Sequence, residues 1–286
     1  MSKIIIAGCG YVGSKLAHEL NNENQVIVFT RTSHNVTLLE QKYTTIQLDL
    51  DECNSVKCID ASDATIFYFI PPPLSGKTDS RLNCFLSNIT DSKLPKKIVL
   101  ISTTGVYGNC GSDWVDETTP VSPDAERAYR RLYAEEVLKV FCEKENIAYV
   151  VLRVPGIYGP DKLPLQRLVE EKPILKLSES PWSNRIHVDD LVQACICSLN
   201  YSGKFHLFNI SDGNPSSMSD YFIQVAKSKG LKEPPQLSMH ECEQIFSNNM
   251  MSYLKESKKI DNSLMLNELG VVLKYPTLVE GLRDDT

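Results

Sequence analysis

No apolar run in this 286-residue chain approaches the roughly 18 residues that a membrane-spanning helix needs, so no membrane partner is expected. Ahead of the first apolar run, Ile4-Ile5-Ile6, there is no signal-like stretch, small-residue cleavage site or Arg/Ser-rich transit segment, and the expected location is cytoplasmic. The nine cysteines form no pair of CxxC clusters, which leaves no zinc pattern and no expected metal site. Scattered and odd in number, they read as reduced thiols, with Cys195 and Cys197 as small core residues of an apolar run. There is no basic excess either. A formal charge of −6 gives no general attraction to nucleic acid or anionic lipid, which favours a small-molecule substrate.

What is present is an ordinary globular composition, 42% hydrophobic and 23% charged, in a chain long enough for one large domain or a nucleotide-binding domain with a small appended lobe. Apolar, β-branched runs at 3–7, 25–30, 45–48, 64–70, 97–102 and 148–153 alternate with helical patterns near 12–20, 35–41, 81–88 and 125–144. Such alternation is that of βαβ units feeding a parallel sheet covered on both faces. Beyond Pro160 the segments shorten, with helical patterns at 188–199 and 217–229 and an apolar run at 204–210 that reads as a further core strand. The expected architecture is α/β, a Rossmann-like doubly wound parallel sheet over 1–160 with a small C-terminal substrate lobe over 161–286 interleaved with the last sheet elements.

The stretch Gly8-Cys9-Gly10-Tyr11-Val12-Gly13 follows the first strand and opens the first helix, the context in which GxGxxG has a mechanism. Gly8 permits the tight turn, Gly10 lets the backbone approach a pyrophosphate, and Gly13 lets helix and strand pack closely. The helix N-terminus, with Tyr11 and Val12, presents N–H groups to phosphate. A carboxylate closing the second strand would bind a ribose 2′-hydroxyl; here the residues are Thr30-Arg31-Thr32-Ser33, without an acid. Arg31 is therefore assigned to the 2′-phosphate of NADP(H), with NAD as the alternative cofactor and a solvated strand-end arginine as the plain one. Asp49, after the third strand, is placed at the adenine edge or in a turn of its own, and Ile70 and Pro71 continue the cofactor edge after the fourth strand. The run Pro71-Pro72-Pro73 stiffens that loop.

Six stretches in order resemble the extended short-chain dehydrogenase/reductases, the NAD-dependent epimerase/dehydratase group, in its atypical GxGxxG form. They are the glycine turn, Ser102-Thr103-Thr104-Gly105-Val106-Tyr107-Gly108, Trp114-Val115-Asp116-Glu117-Thr118-Thr119-Pro120, Leu152-Arg153-Val154-Pro155-Gly156-Ile157-Tyr158-Gly159-Pro160, Arg185-Ile186-His187-Val188-Asp189-Asp190-Leu191 and Phe208-Asn209-Ile210-Ser211-Asp212. The resemblance implies that Thr103 binds the substrate oxygen and that Val154 and Pro155 lie against the nicotinamide. It also implies a YxxxK tyrosine as general acid/base, with a lysine that lowers its pKa and holds the nicotinamide ribose.

That motif is not intact. Four residues after Tyr129 stands Tyr133; aligned instead on Ala134-Glu135, the lysine position falls on Arg131 and the tyrosine position on Arg127. Tyr129 and Arg131 are the catalytic candidates, Arg131 for the positive charge, and half-buried helix positions are the alternative. His187 reads as a core histidine and Asp189 and Asp190 as helix-capping residues. Trp182 and Arg185 are candidates for substrate contact. Two functional expectations follow: hydride transfer on a small carbonyl or alcohol by an oxidoreductase or epimerase-like enzyme, or a dinucleotide-binding regulatory or scaffold protein without turnover. The short lobe favours a small metabolite over a full nucleotide-sugar, and the chain is compatible with a homodimer.

Overall fold

A computed structural model describes residues 1–56, 58–204 and 206–284. Seven strands, β1 (Lys3–Ala7), β2 (Gln25–Thr30), β3 (Thr44–Gln47), β4 (Thr65–Tyr68), β5 (Lys97–Thr103), β6 (Ala148–Val154) and β7 (Leu207–Asn209), form one sheet in the order β7-β6-β5-β4-β1-β2-β3. The pairs from β3 through β2, β1 and β4 to β5 are all parallel. This is the doubly wound order, reversing between β1 and β4, and it puts the carboxyl ends of these strands on one edge. Ile4, Ile5 and Ile6 are fully buried because helices cover both faces of the sheet, and a strand buried on both sides needs a continuous apolar run.

Helices α1 (Tyr11–Leu20), α2 (Ser33–Leu39), α3 (Ser80–Ser87) and α4 (Glu126–Glu145) fall close to the patterns expected from sequence. α3 starts where Asp79 Oδ1 accepts the N–H of Leu82 at 3.0 Å, a side-chain N-cap. In α4, Ala134, Leu138 and Cys142 recur at helical spacing and enter the same core as Ile5, Ile66, Phe85 and Leu100. The 204–210 run yields only the short strand β7, with Phe205 outside the described residues.

The chain divides into two compact units. One comprises Met1–Thr103, Glu126–Arg153 and Val192–Phe208; the other comprises Thr104–Ala125, Val154–Leu191 and Asn209–Thr286. The second unit is built from short strand pairs and helices, with small cores around Leu168, Val225 and Ala226 and around Leu175, Cys242 and Met251. The helix α5 (Val188–Asn200) begins in it, with Asp189 and Asp190 in its first turn. The Asp190 carboxylate accepts the backbone N–H groups of Lys274 and Tyr275, at 2.6 and 3.0 Å, and so anchors the C-terminal segment.

One expectation is corrected. Cys53 and Cys84 are joined in a disulfide, not reduced, with their Cα atoms 5.6 Å apart. A separation of 31 residues carries no local signature; the crossover from β3 to α3 brings the pair into bridging range. Closing a loop of that size stabilises a fold by about 2–4 kcal/mol. Among the described residues no group of three metal-ligating side chains occurs, and no helix is long and apolar enough to cross a membrane.

Candidate functional site

The glycine turn sits at the carboxyl end of β1. Gly8 adopts a φ of +101°, and a Cβ there would lie 2.9 Å from the backbone nitrogen of Ile70, so both the conformation and the close strand exclude a side chain. A Cβ on Gly13 would collide with the Gly8 carbonyl oxygen. Gly10 differs: it is the N-cap of α1, and nothing lies within 4 Å of where its Cβ would be. No side chain caps α1, and no acidic residue stands in its first turn, so the positive end of the helix faces this open space uncompensated. The cradle fits a dinucleotide pyrophosphate. Tyr11 and Val12 are half-buried on the first turn, and Ile70 packs against Gly8.

Arg31 follows β2 with 61% of its side chain exposed, and its backbone carbonyl accepts a hydrogen bond from Gln47 Nε2 at 3.1 Å. Its guanidinium has a neighbour that the sequence reading missed: Nη1 lies 3.6 Å from Asp51 Oδ2. Asp51 is gripped in turn by Arg81 of α3, whose Nε and Nη2 each donate to one carboxylate oxygen at 2.7 Å. The same arginine donates through Nη1 to the carbonyls of Pro71 and Pro72, at 2.9 and 3.3 Å. This fork holds the turn after β3 and the proline loop after β4 on one helix, and its hydrogen bonds push the Asp51 carboxyl below its ordinary pKa. Asp49 forms a turn of its own, Oδ1 accepting the N–H of Asp51 at 3.0 Å.

Thr103, half-buried, is the last residue of β5. Behind it lies a buried network in which Ser102 Oγ donates to Glu135 Oε1 and Arg153 binds the same carboxylate, Nη2 to Oε2 at 2.7 Å and Nε to Oε1 at 3.1 Å. Arg131, one turn before Glu135 on α4, lies on the inward stripe of that helix. It is electrostatically coupled to Asp79 and Tyr68, the last residue of β4. Tyr68 Oη, Asp79 Oδ2 and Arg131 Nη1 are all buried without a hydrogen-bond partner among the described residues. Burial drives each toward its neutral form: Arg131 is lowered, Asp79 raised, and Tyr68 raised well above its ordinary range. Tyr129 and Tyr133 occupy another face of α4. Tyr133 Oη accepts from Asn83 of α3 at 2.8 Å, whereas Tyr129 has the Lys77 ammonium 4.4 Å from its ring centroid. The loop bearing Lys77 is tied to α4 by Arg130, which donates to the Gly76 carbonyl at 2.7 Å. A groove of about 550 Å3 between α3 and α4 is lined by Asn83, Leu86, Val137, Val140 and Phe141 among others, and its lining includes none of Thr103, Tyr129 and Arg131.

In the second unit Trp182 keeps 40% of its surface exposed, with the Lys259 ammonium 4.6 Å from its ring. Arg185 is buried and occupied, stacked 4.2 Å from the Tyr221 ring centroid and donating to Ser216 Oγ at 3.0 Å. Val154 is buried at the end of β6, and Pro155 is half-buried. His187 is a core residue, its ring between Tyr158 and Tyr275. Asp212, the last residue of the sixth family-like stretch, is a titratable group to which the sequence assigned no role: burial raises its pKa to about 7 despite the Arg185 charge.

A doubly wound sheet with an uncapped glycine turn after its first strand defines a Rossmann-like protein of the dinucleotide-binding type. The model of the NAD dependent epimerase/dehydratase family matches residues 78–211, and that of the TrkA-N domain matches residues 4–102. Protein YeeZ of Escherichia coli K12 is 26% identical over 96% of this chain and 97% of its own. A functionally unknown conserved protein from Silicibacter pomeroyi superposes with a TM-score of 0.83 at 25% identity, over 100% and 98% of the two chains. The dTDP-glucose 4,6-dehydratase of Bacillus anthracis, solved in complex with NAD, superposes with a TM-score of 0.77 at 18% identity, over 100% and 95%. Over residues 78–211 the chain is thus similar to the NAD dependent epimerase/dehydratase family, and its fold is that of the epimerase and dehydratase structures.

Proposed function

We propose that this protein binds NADP(H) along the carboxyl edge of β1–β5 and catalyses hydride transfer on a small carbonyl or alcohol substrate. The observation that carries this reading is the combination of an open, uncapped glycine turn after β1 with an exposed arginine after β2. Gly8, Gly10, Gly13 and the first turn of α1, with Tyr11 and Val12, hold the pyrophosphate, and Arg31 takes the 2′-phosphate. Asp49 serves the adenine edge with the carboxylate oxygen that its turn leaves over, and Ile70 and Pro71 border the same edge. The nicotinamide, when bound, supplies the carbon that gives or receives hydride. Thr103 hydrogen-bonds the substrate oxygen. Arg131, at the position of the family's lysine, supplies positive charge from beneath, and its unpartnered buried Nη1 supports a role in holding a ligand. Tyr129 offers the hydroxyl that exchanges the proton, since Tyr133 is already engaged with Asn83.

Two measurements test these assignments. Arg31→Ala is expected to weaken NADPH binding about tenfold or more while leaving NADH unchanged, because a charge-assisted contact contributes roughly 1.5–3 kcal/mol. Equal NADPH affinity in wild type and variant would remove Arg31 from the cofactor site. In a screen of carbonyl compounds followed by NADPH absorbance, Thr103→Val is expected to slow turnover about tenfold or more at unchanged NADPH affinity. Full activity in Thr103→Val would exclude the threonine from the reaction.

A further inference from the structure

The assignment of Arg31 to the 2′-phosphate leaves its closest charged neighbour unexplained. Families that select NAD place an acid at the end of the second strand; here that position is arginine, and an acid stands beside it from the turn after the third. Asp51 is not a loose surface carboxylate. Arg81 binds it through two 2.7 Å hydrogen bonds, Asp49 accepts its backbone N–H, and the Cys53–Cys84 disulfide links the same two segments, the turn after β3 and helix α3. It remains 42% exposed and stays ionised, because the Arg81 fork lowers its pKa.

We infer that Asp51 sets how strongly the protein discriminates NADPH from NADH, resting on the assignment of Arg31 to the 2′-phosphate. The 3.6 Å separation between Arg31 and Asp51 is an ion pair without a hydrogen bond, between exposed groups, so Arg31 is drawn toward Asp51 but not committed to it. A phosphate dianion makes shorter, stronger bonds to a guanidinium and takes Arg31 over. Asp51 cannot withdraw when it does, because Arg81 and the disulfide hold its segment in place. Its negative charge therefore stays within a few ångströms of the arriving phosphate and opposes it. A ribose carrying a neutral 2′-hydroxyl meets no such opposition. Arg31 thus favours the phosphorylated cofactor, and Asp51 limits that preference.

The test is a set of NADPH and NADH titrations followed by nicotinamide fluorescence on wild type, Arg31→Ala, Asp51→Asn, Asp51→Ser and the Arg31→Ala/Asp51→Asn double variant. Thermal midpoints check that each variant is folded. Asp51→Asn and Asp51→Ser are expected to tighten NADPH about tenfold in low salt with NADH within about twofold, and the gain should shrink as ionic strength rises. An NADPH/NADH affinity ratio unchanged in both Asp51 variants, while Arg31→Ala lowers it, would overturn the role of Asp51 and leave that of Arg31 standing. If Arg31→Ala leaves NADPH binding intact, the underlying assignment falls. A gain from Asp51→Asn that persists in full in the Arg31→Ala background supports direct repulsion of the phosphate, and a smaller gain supports competition for the arginine.

Discussion

Replacing Gly10 with valine is expected to weaken binding of NADPH and NADH alike by about 1,000-fold, a loss of roughly 4 kcal/mol, while the protein stays folded. The two effects separate because of where Gly10 stands. Its backbone has a negative φ that other residues adopt, and no atom lies within 4 Å of the missing Cβ, so the branched side chain finds room in the unliganded protein. That room is the space in front of the uncapped end of α1, where the pyrophosphate approaches the backbone. A β-branched residue at an N-cap costs about 1 kcal/mol, a small change in the urea midpoint. Gly13 provides the contrast. A side chain there meets the Gly8 carbonyl and forces α1 away from β1, so Gly13→Val should lose stability and binding together.

Removing the Glu135 carboxylate is expected to lower the unfolding free energy by about 3–5 kcal/mol, read from urea denaturation of Glu135→Ala. Glu135 and Arg153 are both buried, and Ser102 shares the carboxylate, so the substitution takes the carboxylate away from a buried guanidinium and a buried hydroxyl. An apolar pair of similar volume, Glu135→Met with Arg153→Met, should recover most of the loss, because it is the solitary buried charge that is expensive. If Glu135→Ala alone costs less than about 1 kcal/mol, the network is not a structural determinant of the β5–α4–β6 packing. Ser102 immediately precedes Thr103, so this network also fixes the end of the strand that carries the candidate substrate hydroxyl.

Much of this fold was legible from local pattern. Continuous apolar runs marked the strands of a sheet covered on both faces, and the glycine turn declared itself because its pattern lies within six residues of one strand–helix junction, although the backbone that closes on Gly8 comes from Ile70. The position of Arg31, directly after β2, was legible for the same reason. Its neighbour was not. Asp51 reaches Arg31 only through the parallel register that sets Thr30 beside Gln47, and Arg81 and Cys84 arrive by way of a second crossover and α3. No spacing in the sequence encodes those contacts, and the disulfide was missed on the same ground.

The region that departs from the family motif shows a different limit. Periodicity placed 125–144 in a helix, but whether Tyr129 or Arg131 faces the sheet depends on the helix's rotation. Packing decides that: Ala134, Leu138 and Cys142 enter the core, and Arg131 lies on their stripe. The charged and polar neighbours of Arg131, Tyr68 and Asp79, come from β4 and the start of α3, and neither had a signal of its own in the sequence.

The most direct test of the central claim is isothermal titration of NADPH and NADH into the wild-type protein and into Gly10→Val. Saturable binding of one cofactor per chain is expected, tighter for NADPH and lost in the valine variant at an unchanged thermal midpoint. Absence of binding by either cofactor to the wild type, or binding that Gly10→Val leaves intact, would contradict a dinucleotide site at the turn after β1.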